Sequence, residues 1–201
     1  MFDGMLKRRI DPVLQRLAGA LHRTGLSADG VTAAGLALGL GAALAIGLGS
    51  YITGLALILV SRLCDGLDGT LARLRQPTDL GGYLDIVFDY IFYGAIPLGF
   101  AVADPATNGL PAAVLLMSFY ANGASFLGFA IIAAKRGLSS EARGQKSLYF
   151  TTGLAEASET LLVFALACLF PSAFPWLAYG FAVLCGITCI SRILLATRQF
   201  R

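Results

Sequence analysis

Long apolar stretches, each near the length needed to cross a bilayer, alternate along this chain with short breaks rich in glycine, proline or polar residues. The pattern predicts spans at 31–49, 52–73, 81–102, 111–134, 148–170 and 175–197. Gly49-Ser50, Pro77, Pro105 with Asn108-Gly109, the stretch from Gly137 to Gly144, and Pro171 with Pro175 supply the breaks. Residues 1–28 follow a different rule. Asp11 is placed as an N-cap with Pro12 at the first helical position, and Val13, Leu14, Leu17 and Leu21 then fall on one face. Lys7, Arg8, Arg9, Arg16 and Arg23 make the segment basic without a continuous apolar run, which excludes a cleavable signal peptide or a span. It reads as an interfacial amphipathic helix, basic side to the headgroups, with a frayed basic tail as the alternative. The expected fold is all-α and integral to the membrane: six transmembrane helices plus an N-terminal interfacial helix, in one domain covering 1–201.

Composition agrees. With 57% hydrophobic residues, 13% charged residues and a mean hydropathy of +0.74, the chain lies outside the range of soluble domains. Of the fifteen lysines and arginines, all but Arg62, which lies within the second span, fall in the N-terminal segment, at the end of the second span, in the 135–146 loop, or at the end of the sixth span and the tail. Basic residues accumulate on cytoplasmic flanks, so both termini are expected in the cytoplasm. No nucleic-acid partner is expected.

Against this background the stretch from Asp65 to Asp89 stands out, because it places four carboxylates in an apolar setting. Asp65 and Asp68 are three apart and Asp85 and Asp89 four apart, so each pair projects from one face of its own helix. A seven-residue connection from Leu74 to Leu80, containing Pro77, would bring the pairs face to face near the cytoplasmic surface. Two divalent cations would fit between them, and hard carboxylate oxygens suit Mg2+ or Mn2+. The other reading is a set of interhelical ion pairs with Arg62, Arg73 and Arg75. Neither the single histidine, His22, nor Cys64, Cys168, Cys185 and Cys189 forms a zinc-like cluster; the cysteines read as small buried hydrophobes. Gly35 and Gly39 form a small-xxx-small pair that points to close helix packing.

The spacing Asp65-x2-Asp68-Gly69-x2-Ala72-Arg73, followed by Gly81-x3-Asp85-x3-Asp89, resembles the signature of the CDP-alcohol phosphotransferase (phosphatidyltransferase) family. The seven residues between Arg73 and Gly81 are one fewer than is usual there. The resemblance implies metal binding by Asp65, Asp68, Asp85 and Asp89, with Asp89 also the general base on an acceptor hydroxyl. It implies that Gly69 and Ala72 let a CMP moiety approach closely, beside Asp68, and that Arg73 pairs with its phosphates. Ser27-Ala-Asp29-Gly-Val-Thr32 resembles a T-P-N-x-x-T element of the family, which would add Thr32 to the CDP contacts. An ordinary helix N-cap at Ser27 or Asp29 explains the same residues equally well.

The second half is expected to supply the acceptor site. Arg143 and Lys146 are candidates for an acceptor phosphate, whereas Lys135 and Arg136 read as topological charges. Glu156 and Glu159, placed inside the fifth span on one face, are candidates for contacts to a polyol or a cationic acceptor or for pairing with Lys146 or Arg192; Asn122, Ser125 and Tyr149 are weaker candidates. The resemblance implies transfer of a phosphatidyl group from CDP-diacylglycerol to a small polar or lipid alcohol, with release of CMP, by a homodimer of a bacterial inner membrane. Glycerol 3-phosphate leads among acceptors, with phosphatidylglycerol, an inositol phosphate, serine or an amino alcohol behind it. A divalent-cation transporter is the competing class, since intramembrane acids also mark ion paths.

Overall fold

The computed structural model describes residues 3–137 and 155–200, and all regular structure among them is helical. Seven helices follow in order: α1 Asp3–Arg23, α2 Ala28–Gly47, α3 Tyr51–Arg75, α4 Asp79–Ala103, α5 Pro105–Lys135, α6 Ala157–Leu169 and α7 Phe174–Gln199, with a 3-10 turn at Pro171–Ala173 before the last. Four of these segments, α2, α4, α5 and Pro171–Gln199, are long and apolar enough to cross a membrane. The chain is thus an all-α integral membrane protein. Helix α3 has a comparable 25 residues but carries Arg62, Asp65, Asp68, Arg73 and Arg75. Helix α6, capped at Glu156, has 13 residues, too few to span by itself, and the start of the expected fifth span at 148 lies outside the described residues.

The breaks are tighter than the pattern suggests. Only Gln76, Pro77 and Thr78 separate α3 from α4, not seven residues, because Thr78 caps α4 early by accepting from the Gly81 amide at 3.0 Å. The break at Pro105 is shorter than expected, the single residue Asp104, and Pro105, Asn108 and Gly109 already belong to the start of α5. Asp104 caps that helix, accepting from the Thr107 amide at 3.1 Å, and proline at the first position suits a helix start. These bonds to Thr107 hold the exposed Asp104 carboxyl below its ordinary value. Helix α1 begins at Asp3, so Asp11 is no N-cap; Pro12 sits inside the helix and forgoes one backbone bond. Leu14 and Ala18 are buried with Val31, Leu67 and Leu71, docking α1 on α3.

Helix α2 packs on α3 and α4, and α5 on α4 and α7. Gly35 and Gly39 permit the first of these contacts, as their spacing predicts. A Cβ on Gly39 would lie 2.6 Å from Phe92 Cδ2, and one on Gly35 would lie 3.2 Å from Cys64 Cβ. The apolar core sits beyond Phe92, away from the carboxylates. There Phe100 stacks on Phe174 at 4.4 Å between ring centroids, surrounded by Ile46, Ile58, Ile96 and Leu115. Apolar residues such as Leu44, Ile52, Leu98, Met117 and Val183 face outward, as helices in lipid require.

Candidate active site

The N-terminus of α2, the C-terminal half of α3 and the first turns of α4 meet at one end of the bundle. One oxygen each from Asp65 and Asp68 on α3 and Asp85 on α4 lie within 4.8 Å of one another. Asp68 is buried; its Oδ1 accepts from the Gly69 amide at 2.5 Å, while its Oδ2 is buried with no hydrogen-bond partner among the described residues. Thr32 stands beside it, its hydroxyl donating to the Ala28 carbonyl at 3.0 Å. Three converging carboxylates, one with an orphaned buried oxygen, are an unstable arrangement by themselves and a fitting one for a hard divalent cation.

Asp89, one turn beyond Asp85, is engaged differently. Arg62 Nη1 donates to its Oδ1 at 2.6 Å and lies 3.5 Å from Asp65 Oδ1. The ion-pair reading of the sequence therefore holds for Arg62. Arg73 instead donates to Thr70 Oγ1 at 3.0 Å. The side chain of Arg75 lies outside the described residues.

Next to the carboxylates opens a cavity of about 440 Å3, walled by Ser27, Asp29 and Thr32 from the start of α2, by Asp68, Gly69, Ala72 and Arg73 from α3, by Gln76, Pro77 and Thr78, and by Gly81, Gly82 and Asp85 from α4. The residues read from the sequence as CDP contacts, Thr32, Asp68, Gly69, Ala72 and Arg73, share this wall. A Cβ on Gly69 would meet nothing nearer than Arg73 Nη1 at 3.8 Å, so the helix backbone there is bare toward the cavity. Ser27 caps α2 by accepting from the Gly30 amide at 3.1 Å.

The sequence profile of the CDP-alcohol phosphatidyltransferases matches residues 26–188, the segment that holds this end of the bundle. The chain belongs to that family. It is a phosphatidyltransferase of phospholipid synthesis. Among curated relatives, the inner membrane protein YnjF of Escherichia coli is 44% identical over 193 residues, covering 96% of this chain and 94% of the relative. Archaetidylinositol phosphate synthase of Methanothermobacter thermautotrophicus is 38% identical over 99 residues, 49% of this chain and 47% of its own length. Among solved structures, the Mycobacterium tuberculosis phosphatidylinositol phosphate synthase in complex with manganese and citrate superposes with a TM-score of 0.68 at 25% identity, covering 90% of this chain and 87% of that one. The same enzyme with CDP-DAG bound shares the fold at 24% identity and a TM-score of 0.68, covering 90% and 92%.

In this phosphatidyltransferase the residues expected to hold the acceptor are only partly in view. Arg143, Lys146 and Tyr149 lie outside the described residues. Glu156 and Glu159 are not on one face inside a span. Glu156 is the N-cap of α6 and Glu159, the third residue of the helix, closes a capping box in which Glu159 Oε2 accepts from the Glu156 amide at 3.2 Å. The sequence pattern S/T/D/N-x-x-E misses this box because glutamate stands at its first position. Asn122 and Ser125 do line one polar site: Arg192 Nη1 on α7 donates to Asn122 Oδ1 at 2.8 Å and to Ser125 Oγ at 3.1 Å. Glu156 and Tyr90, the neighbour of Asp89, both feel the Arg192 charge. Sequence reasoning treated Arg192 only as a pairing partner; its signal was a lone arginine within an apolar run.

Proposed function

We propose that this chain transfers the phosphatidyl group of CDP-diacylglycerol to a phosphorylated polyol, with glycerol 3-phosphate as the acceptor and CMP as the leaving product. The single observation that carries the reading is the convergence of Asp65, Asp68 and Asp85 oxygens within 4.8 Å at the edge of a nucleotide-sized cavity. Asp65, Asp68 and Asp85 would hold Mg2+ or Mn2+, which when bound supplies positive charge to a pyrophosphate. Asp89 accepts the proton of the acceptor hydroxyl. The freed oxygen forms a bond to the phosphorus that carries the diacylglycerol, and the bond from that phosphorus to the CMP oxygen breaks, so CMP leaves with the electron pair. Gly69 and Ala72 let the nucleotide lie against α3, Arg73 pairs with its phosphates, and Thr32 closes the wall from α2. Arg192, with Arg143 and Lys146, is suited to the acceptor phosphate.

An inositol phosphate is the second reading, favoured by the names of the archaeal relative and of the mycobacterial structure. The six spans and the homodimer expected from the sequence complete the proposal. Lys135, Arg136 and Arg198, at the ends of α5 and α7, support a cytoplasmic position for the site and both termini. The test is CMP release by the purified protein in bicelles with CDP-diacylglycerol, Mg2+ or Mn2+, and a panel of acceptors. Release that depends on glycerol 3-phosphate is expected; release only with an inositol phosphate selects the second reading. Absence of CDP-lipid binding overturns both.

A further inference from the structure

Arg62 is a cation built into the wall of the carboxylate cluster. Its side chain is only 15% exposed, and its guanidinium carbon lies 3.9 Å from the Phe92 ring centroid and 5.9 Å from that of Tyr93. Nη2 is 3.5 Å from Ser61 Oγ, and Nε is buried without a hydrogen-bond partner among the described residues. A guanidinium left incompletely bonded in an apolar wall is costly, and a surface ion pair would not require it. Its reward is on the acidic side: Nη1 reaches Asp89 on α4 at 2.6 Å and Asp65 on α3 at 3.5 Å, so one group spans the two helices that carry the cluster.

We propose that Arg62 is the positioning residue for Asp89. It fixes the direction of the Asp89 carboxylate and, by occupying it, keeps Asp89 apart from the group formed by Asp65, Asp68 and Asp85. The four aspartates then divide: three face the cation site, and the fourth is held by a resident positive charge, aimed where an acceptor hydroxyl must come. This rests on the reading of Asp89 as the base. The rigid floor of Phe92 beneath the guanidinium explains why an arginine stands here, since a planar fork over an aromatic face holds a direction that a flexible ammonium does not.

The test uses the full chain in bicelles and two readouts. Mn2+ binding without lipid substrate is followed by electron paramagnetic resonance. In Arg62→Gln it should tighten by about tenfold, because the resident positive charge is gone and Asp89 is released to the ion. In the same variant kcat should fall by about 100-fold while KM for CDP-diacylglycerol stays within about threefold. Arg62→Lys keeps the charge but not the fork, and should restore wild-type Mn2+ affinity while recovering kcat only in part. An Arg62→Gln protein with an unchanged Mn2+ isotherm and unchanged kcat overturns the proposal. If that variant does not fold, Arg62→Lys decides alone, and a wild-type kcat in it overturns the proposal. A wild type that releases no CMP with any acceptor counts against the functional reading, while the Mn2+ isotherms still decide the role of Arg62.

Discussion

The Ser61 hydroxyl donates to the Gly35 carbonyl oxygen at 2.7 Å, a buried bond that ties α3 to α2 immediately before Arg62. The Gly35 carbonyl belongs to a helix and loses only its second acceptor role when the hydroxyl is removed. Ser61→Ala is therefore expected to lower stability by about 1 kcal/mol, read as a fall in Tm in detergent. An unchanged Tm would show that α2 and α3 are held by shape alone.

Asp68 should behave with opposite signs in stability and function. It is 5% exposed and its Oδ2 has no hydrogen-bond partner among the described residues, while Asp65 and Asp85 add like charge beside it. Asp68→Asn removes that repulsion and should stabilise the metal-free protein by about 1–3 kcal/mol. The same change should abolish the rise in Tm that Mn2+ gives the wild type. A variant that Mn2+ still stabilises fully would remove Asp68 from the metal site.

Two glycines separate cavity from core. Gly69→Ala adds a methyl that meets only Arg73 Nη1 at 3.8 Å, so helix propensity should raise stability by about 1 kcal/mol while CDP-lipid affinity drops. Gly99→Ala puts a Cβ 2.6 Å from the Ala43 carbonyl oxygen, where α4 crosses α2, and should destabilise by about 1–3 kcal/mol. Paired thermal melts and CDP-lipid titrations distinguish the two. Equal losses of stability would contradict the bare wall assigned to Gly69.

Gln76 has φ 135°, a region that side chains other than glycine rarely adopt, at the turn that sets how α3 and α4 face each other. Gln76→Gly should relieve about 1 kcal/mol of backbone strain and leave the fold unchanged. A lower Tm would mean that the side chain, which borders the cavity, contributes more than its backbone costs.

Asp89→Asn should leave CDP-lipid binding within about threefold of wild type and lower kcat by about 100-fold or more. An Asn variant of near-normal kcat refutes Asp89 as base.

Much of this was legible from the chain. Hydropathy marked the helices, and the unusual acids marked the site, because polar residues in apolar segments are costly enough to need a reason. The small-residue pair Gly35 and Gly39 likewise announced a close crossing. Other features were hidden by ambiguity in local chemistry. Proline and asparagine around residue 105 signal a break without saying where the next helix starts, and only the Asp104 cap places that start at Pro105. Glu156 and Glu159 have the same spacing on a helix face and in a capping box, so their place depended on where α6 begins.

The sequence by itself determined an all-α membrane protein with Asp65, Asp68, Asp85 and Asp89 presented from paired helices, since helical periodicity and the cost of burying charge in lipid act locally. Only the tertiary structure decided which carboxylates converge, Asp65, Asp68 and Asp85, and which one Arg62 engages most closely, Asp89. That choice depends on how α3 and α4 are rotated against each other over Phe92, and the packing of side chains distant in sequence sets this rotation.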